Sequence, residues 1–78
     1  MGETMENTTV LQESDIKTSQ GRYPSQIVLR QIKEKRYATH LKILPPAGEP
    51  SFILGRYFFT LADAEKDFRK REIELNAL

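Results

Sequence analysis

No cysteine occurs in the 78 residues, so neither a disulfide nor a thiolate metal site can hold this chain together. Tryptophan is absent as well, and His40 is the only histidine. One imidazole with no cysteine or second histidine beside it makes no transition-metal site, so a surface or half-buried strand histidine is expected. No apolar run approaches the roughly 20 residues that a membrane-spanning helix needs. The N-terminus is polar and acidic, not basic and then apolar, which speaks against a signal peptide. The expected setting is therefore the reducing cytoplasm, with no membrane partner. Ser, Thr and Lys occur without a base in any recognisable pattern, and Gly48 and Gly55 open no helix as a phosphate-binding loop would. The sequence predicts a protein that is not an enzyme, with no cofactor, no metal and no small-molecule substrate.

The near-neutral total of +1 hides an uneven distribution. Met1 to Gly21 carries a balance of −3, Arg22 to Thr60 one of +5, and Leu61 to Leu78 one of −1. The basic part is the part that also reads as a sheet. A uniform near-zero charge would say little about partners; a basic sheet between an acidic segment and a mixed-charge helix points to an anionic ligand.

Residues 1–22 are rich in Thr, Ser, Glu, Asn and Gln, with Val10, Leu11 and Ile16 as the main apolar residues. Such a composition does not offset its own ordering entropy, so a flexible, disordered acidic arm is expected there. Docking of Val10, Leu11 and Ile16 onto the domain or a partner is the alternative. Residues 23–78 form the expected single small domain, with a net stability of roughly 3–5 kcal/mol.

Within that domain Ser25 to Lys33 has a dense β-branched centre, and Arg36 to Leu44 alternates. Tyr37, Thr39, Leu41 and Ile43 fall on one face, and Arg36, Ala38, His40 and Lys42 on the other. The short polar link Glu34-Lys35 favours an antiparallel hairpin, although it lacks the Asn-Gly or Asp-Gly of the strongest turn signal. Three prolines between Pro45 and Pro50 forbid both ladder and helix. Phe52 to Phe59 returns as a third strand, in which Gly55 marks a bulge or a close approach of the helix. Unbroken alternation would put Ile53, Gly55, Tyr57 and Phe59 on one face and Phe52, Leu54, Arg56 and Phe58 on the other. Thr60 is a good N-cap, its hydroxyl placed to accept from the N–H of Asp63. The helix from Leu61 shows an apolar stripe of Leu61, Ala64, Phe68 and Leu75, with Ile73 off it. Its interleaved Lys66, Arg69, Lys70 and Arg71 read as a solvated face rather than a ligand site. Asp63 and Asp67 are explained by the cap and by an ion pair rather than by a bound cation. The expected fold is α+β: a three-stranded antiparallel sheet with one C-terminal helix packed on one face (β-β-β-α).

A strand ending in Phe58-x-Thr60 that feeds a helix bearing Asp63-Ala64, with Phe68 at a later aromatic position, resembles two DNA-binding modules. These are the arm-binding domains of phage-type tyrosine integrases and the plant AP2-type domains. The resemblance spans about residues 25–76 and implies a sheet laid in the DNA major groove, with basic strand residues on phosphates and base edges. Two binding readings follow. One is nucleic-acid binding through the basic open face of the sheet, with Arg30, Arg36, His40, Lys42 and Arg56 as contacts. The other is protein–protein interaction, most simply a homodimer, through an aromatic sheet face that includes Phe58. Both depend on which residues of the third strand turn away from the helix.

Overall fold

A computed structural model describes residues 8–77. Five elements follow one another: β1 (Thr9–Glu13), β2 (Ser25–Lys33), β3 (Arg36–Ile43), β4 (Ser51–Phe58) and α1 (Leu61–Asn76). The strands form one antiparallel sheet in the order β1-β2-β3-β4, and α1 lies across one face of it. The α+β class and the single C-terminal helix are as the sequence predicts; the strand count is four, not three.

The additional strand comes from the segment expected to be part of the arm. β1 pairs with β2, matching Val10 to Arg30 and Glu13 to Val28. The pairing continues through Ser14, whose N–H donates to the Ile27 carbonyl at 2.9 Å and whose hydroxyl accepts from the Ile27 N–H at 2.8 Å. Gln26 adds a side-chain bond to the Ser14 carbonyl at 2.7 Å, and Lys17 bridges to Ser25. All five β1 side chains are exposed. The strand is held by backbone groups that close the outer edge of β2, not by burial of its own side chains, so composition carried no sign of it. Residues 1–7 of the expected arm lie outside the described residues.

β2 and β3 form the expected hairpin, with Ile27 opposite Leu41 and Leu29 opposite Thr39. Its turn is closed by Lys35 in the left-handed region, at φ 58°. The core sits between these central strands and α1. Ile27 and Leu29 meet Ala64, Phe68 and Leu75, with Tyr37, Leu41 and Phe58 packed around them. Thr60 caps α1 as expected, accepting from the Asp63 N–H at 3.2 Å.

The buried stripe of α1 is Ala64, Phe68, Arg71 and Leu75. Leu61, expected on the stripe, is exposed, and Arg71, expected on a solvated face, is buried. Arg71 lies three residues after Phe68 and four before Leu75, which puts it in the middle of the covered face. Its guanidinium donates to the Thr39 carbonyl and hydroxyl at 3.2 and 3.1 Å and to the Leu54 carbonyl. Burial pushes the Arg71 guanidinium below its ordinary pKa, opposed by Asp67 and Glu74. No helix of the described residues is long and apolar enough to cross a membrane.

Candidate functional site

β4 decides what the sheet face turned away from α1 presents. Along β3, Leu41 pairs with Ile53 and Thr39 with Arg56, so Leu54 and Gly55 together stand opposite His40. Leu54 takes a left-handed φ of 55° at this bulge. The extra residue shifts the alternation by one position. Before it, Phe52 pairs with Lys42 on the open face and Ile53 faces the helix side. After it, Arg56 and Phe58 face α1, and Tyr57, paired with Ala38, turns to the open face. Phe59 follows on that face against Arg36.

The bulge corrects the expected face assignment. Arg56 donates to Asp67 at 2.7 Å on the helix side, and Phe58 packs against the core, although it also reaches the lining of a concavity at the Arg36 end of the sheet. Asp67 also accepts from the buried Thr39 hydroxyl at 2.6 Å. Burial works to raise the pKa of the Asp67 carboxyl, but the bonds from Thr39 and Arg56 outweigh it and hold the value below the ordinary one. Of the other sequence-predicted contacts, Arg30, Arg36, His40 and Lys42 do share the open face. Tyr57 and Phe59 join them there, 67% and 69% exposed.

At the centre of this face Arg30 is buried beneath Phe52, its guanidinium carbon 5.0 Å from the ring centroid. One Arg30 nitrogen donates to the Thr8 hydroxyl at 3.3 Å, and another lies 3.0 Å from Nδ1 of His40. A guanidinium only donates, so His40 Nδ1 accepts and the ring hydrogen of the neutral imidazole sits on Nε2. Burial, then the charges of Arg30 and Arg71, push the His40 pKa down to about 4. The ring is therefore neutral at physiological pH and serves as a wall: it meets Phe52 and Tyr57 edge-to-face, at centroid distances of 6.1 and 5.9 Å. The absence of a side chain at Gly55 makes this possible, since a Cβ there would stand 2.7 Å from His40 Nε2.

The two ends of the face differ. At one end Lys42 lies 5.8 Å from the Phe52 centroid and 3.8 Å from Glu13, which neutralises much of its charge. At the other end the Arg36 guanidinium covers Phe59 at 4.9 Å and is exposed. Between the centre and the Arg36 end lies a concavity of about 520 Å³. Among the described residues that line it, Arg30, Lys33 and Arg36 are cationic and none is a carboxylate. Tyr57 and Phe59 form one rim of it. Tyr57 and Phe59 are not legible as site residues without the phase change at the β4 bulge, which Gly55 marks, and Lys33 is not legible without the register shift in β2 that sets it opposite Arg36.

No group of three or more metal-ligating side chains occurs among the described residues. No protein-family model matches this chain, nor does any curated protein or solved structure. The resemblance to integrase arm-binding and AP2-type domains therefore rests on Phe58, Thr60, Asp63, Ala64 and Phe68 alone, beside a sheet of four strands.

Proposed function

We propose that the protein is a small, non-catalytic nucleic-acid-binding module that uses the sheet face turned away from α1. The observation that carries this reading is the concavity itself. It combines Arg30, Lys33 and Arg36 with two exposed aromatic rings and has no carboxylate among its described lining residues. Cations and rings together suit a ligand that is both anionic and aromatic, which a nucleic acid is along its whole length. The +1 total charge is no obstacle, because the +5 balance of residues 22–60 is where the face is built. Arg36 and Lys33 are the contacts to backbone phosphate; Arg30 and His40 hold the floor, and Lys42 contributes less because Glu13 is beside it.

Titration of a fluorescently labelled oligonucleotide by anisotropy tests this. Affinity should fall steeply between about 50 and about 200 mM salt, and Arg36→Ala should flatten the dependence by about one phosphate contact. An amide spectrum unchanged by DNA and RNA at low salt would end the nucleic-acid reading.

A homodimer is the second reading, and one observation favours it. β4 is an outer strand of the sheet, and Ile53 and Leu54 are exposed along it. Phe58→Asp is unsuitable as its test, since Phe58 packs on the core. A dimeric mass in solution that Leu54→Arg reduces to a monomer, with the fold retained, is the expected outcome if that reading holds.

A further inference from the structure

We infer that the ligand is single-stranded, and that Tyr57 and Phe59 are its base-stacking residues; the inference rests on the nucleic-acid reading above. In a duplex the faces of the bases are already stacked on one another, and a protein meets only their edges and the phosphates. A ring that offers its face to a base needs a base that is out of its stack. Tyr57 and Phe59 offer that kind of surface. Tyr57 lies near the end of β4 and Phe59 directly after its last residue, two positions on, so their origins are at most about 7 Å apart, roughly twice the spacing of stacked bases. That separation suits two bases, each on its own ring, in a strand that has been opened out.

Neither ring has a structural task that accounts for its exposure. The hydrophobic core is complete without either of them. Tyr57 touches His40 edge-to-face, and Phe59 carries Arg36 over one ring face, yet each residue stays about two-thirds exposed. Arg36 on Phe59 also joins a phosphate-binding cation to a stacking ring, so one nucleotide can meet both. The charge of the adjoining concavity is complementary to a phosphate chain, with Lys33 and Arg36 beside the rings and no carboxylate among the described lining residues. A second copy of this chain covering the same rings would bring Lys33 and Arg36 against their own equivalents, which disfavours that occupant.

The test uses the full chain and labelled probes of equal length: oligothymidylate, oligouridylate, an abasic strand and a mixed-sequence duplex. A base-bearing single strand is expected to bind more tightly than both the abasic strand and the duplex. Tyr57→Ala and Phe59→Ala should each weaken binding of that strand about 5- to 100-fold, while abasic binding changes little. Tyr57→Leu and Phe59→Leu, which keep apolar area but lose the ring, should fall with the alanine variants; circular dichroism checks that all four fold. Duplex binding as tight as single-strand binding would overturn the inference, as would ring variants without effect. If Arg36→Ala still weakened binding in either case, the nucleic-acid reading would survive. No binding to any probe at low salt would overturn both. A dimer dissolved by the ring variants, with no nucleic-acid binding, would assign the rings to a second copy and overturn both as well.

Discussion

Arg71, in the middle of the buried stripe of α1, donates to the main-chain carbonyl oxygen of Leu54, the left-handed residue of the β4 bulge. A left-handed φ costs a non-glycine residue about 1–2 kcal/mol, and Leu54 regains little of it by packing, because its side chain is mostly exposed. The compensation comes from the helix, through a guanidinium that also holds the Thr39 carbonyl and hydroxyl. One helix residue on the covered face thus helps to set the phase in which β4 presents Tyr57 and Phe59 on the opposite face.

Replacement of Arg71 by methionine, which keeps length but not the donors, should cost about 2–4 kcal/mol in urea denaturation. The buried acceptors on Thr39 and the part-buried carbonyl of Leu54 lose their partner, and Asp67 loses a nearby positive charge. Arg71→Lys should recover less than half of the loss, because an ammonium cannot fork to two strands as a guanidinium does. Hydrogen exchange at the Gly55 amide should accelerate in both variants. An unchanged denaturation midpoint in Arg71→Met would contradict this account.

Gly55→Ala is expected to destabilise by about 1–3 kcal/mol through overpacking. The added methyl would meet His40 Nε2 at 2.7 Å, the Tyr57 hydroxyl at 3.0 Å and His40 Cδ2 at 3.1 Å; the tyrosine side chain is exposed and can swing away, whereas the imidazole is hemmed in by Arg30, Phe52 and Tyr57. If steric conflict with that ring is the cause, the same change in a His40→Ala background should cost less than about 0.5 kcal/mol. A double-mutant cycle measures the difference directly. Equal costs in both backgrounds would place the strain elsewhere.

The fold was legible where side-chain chemistry and local pattern agree. Alternation from Tyr37 to Ile43 gave β3, and Thr60 with Asp63 gave the start of α1, because capping and pleating are local. β1 was not legible: Thr9–Glu13 stands in the sheet through backbone bonds to β2, and its exposed side chains say nothing of that. Arg71 was not legible as a buried residue either, because a charged side chain on the stripe is covered only where the partner strands supply acceptors, here on Thr39 and Leu54. The candidate site was half legible. Arg30, Arg36, His40 and Lys42 share the open face, because β3 alternates from Arg36 to Lys42 and Arg30 pairs with Ala38 ahead of the register shift in β2. Arg56 and Phe58 do not, because a single inserted residue at Leu54-Gly55 reverses everything after it. Gly55 carried that signal, yet the size of a phase shift follows only from pairing with β3.

The β2–β3 turn offers a gain rather than a loss. Lys35 is exposed and sits at φ 58°, a conformation that glycine adopts without a Cβ penalty. Lys35→Gly should therefore raise stability by about 0.5–1 kcal/mol, the relief of strain exceeding the added freedom of the unfolded chain. Thermal denaturation checks it, and a lowered Tm would show that the lysine side chain holds the turn.

His40 makes stability depend on pH in a defined window. Its folded pKa is lowered to about 4, first by burial and then by Arg30 and Arg71, whereas the unfolded ring takes up a proton near its ordinary 6.5. Between these values the unfolded state binds more protons than the folded one. The stabilisation is therefore complete above about pH 6.5 and is lost as pH falls towards 4, with a slope approaching about 1.4 kcal/mol per pH unit. A loss of about 1–3 kcal/mol is expected between pH 7 and 4.5 in urea denaturation. Asp67 adds to the slope only further down, because its carboxyl is held below the ordinary value of 3.8. His40→Gln keeps an acceptor for Arg30 without a titrating ring, so it should remove the slope between pH 6.5 and 4.5. Proton NMR of the native imidazole gives the decisive reading: its Hε1 shift should stay at the neutral position down to about pH 5, and a midpoint near 6.5 would mean that the ring is not enclosed by Arg30, Phe52 and Tyr57.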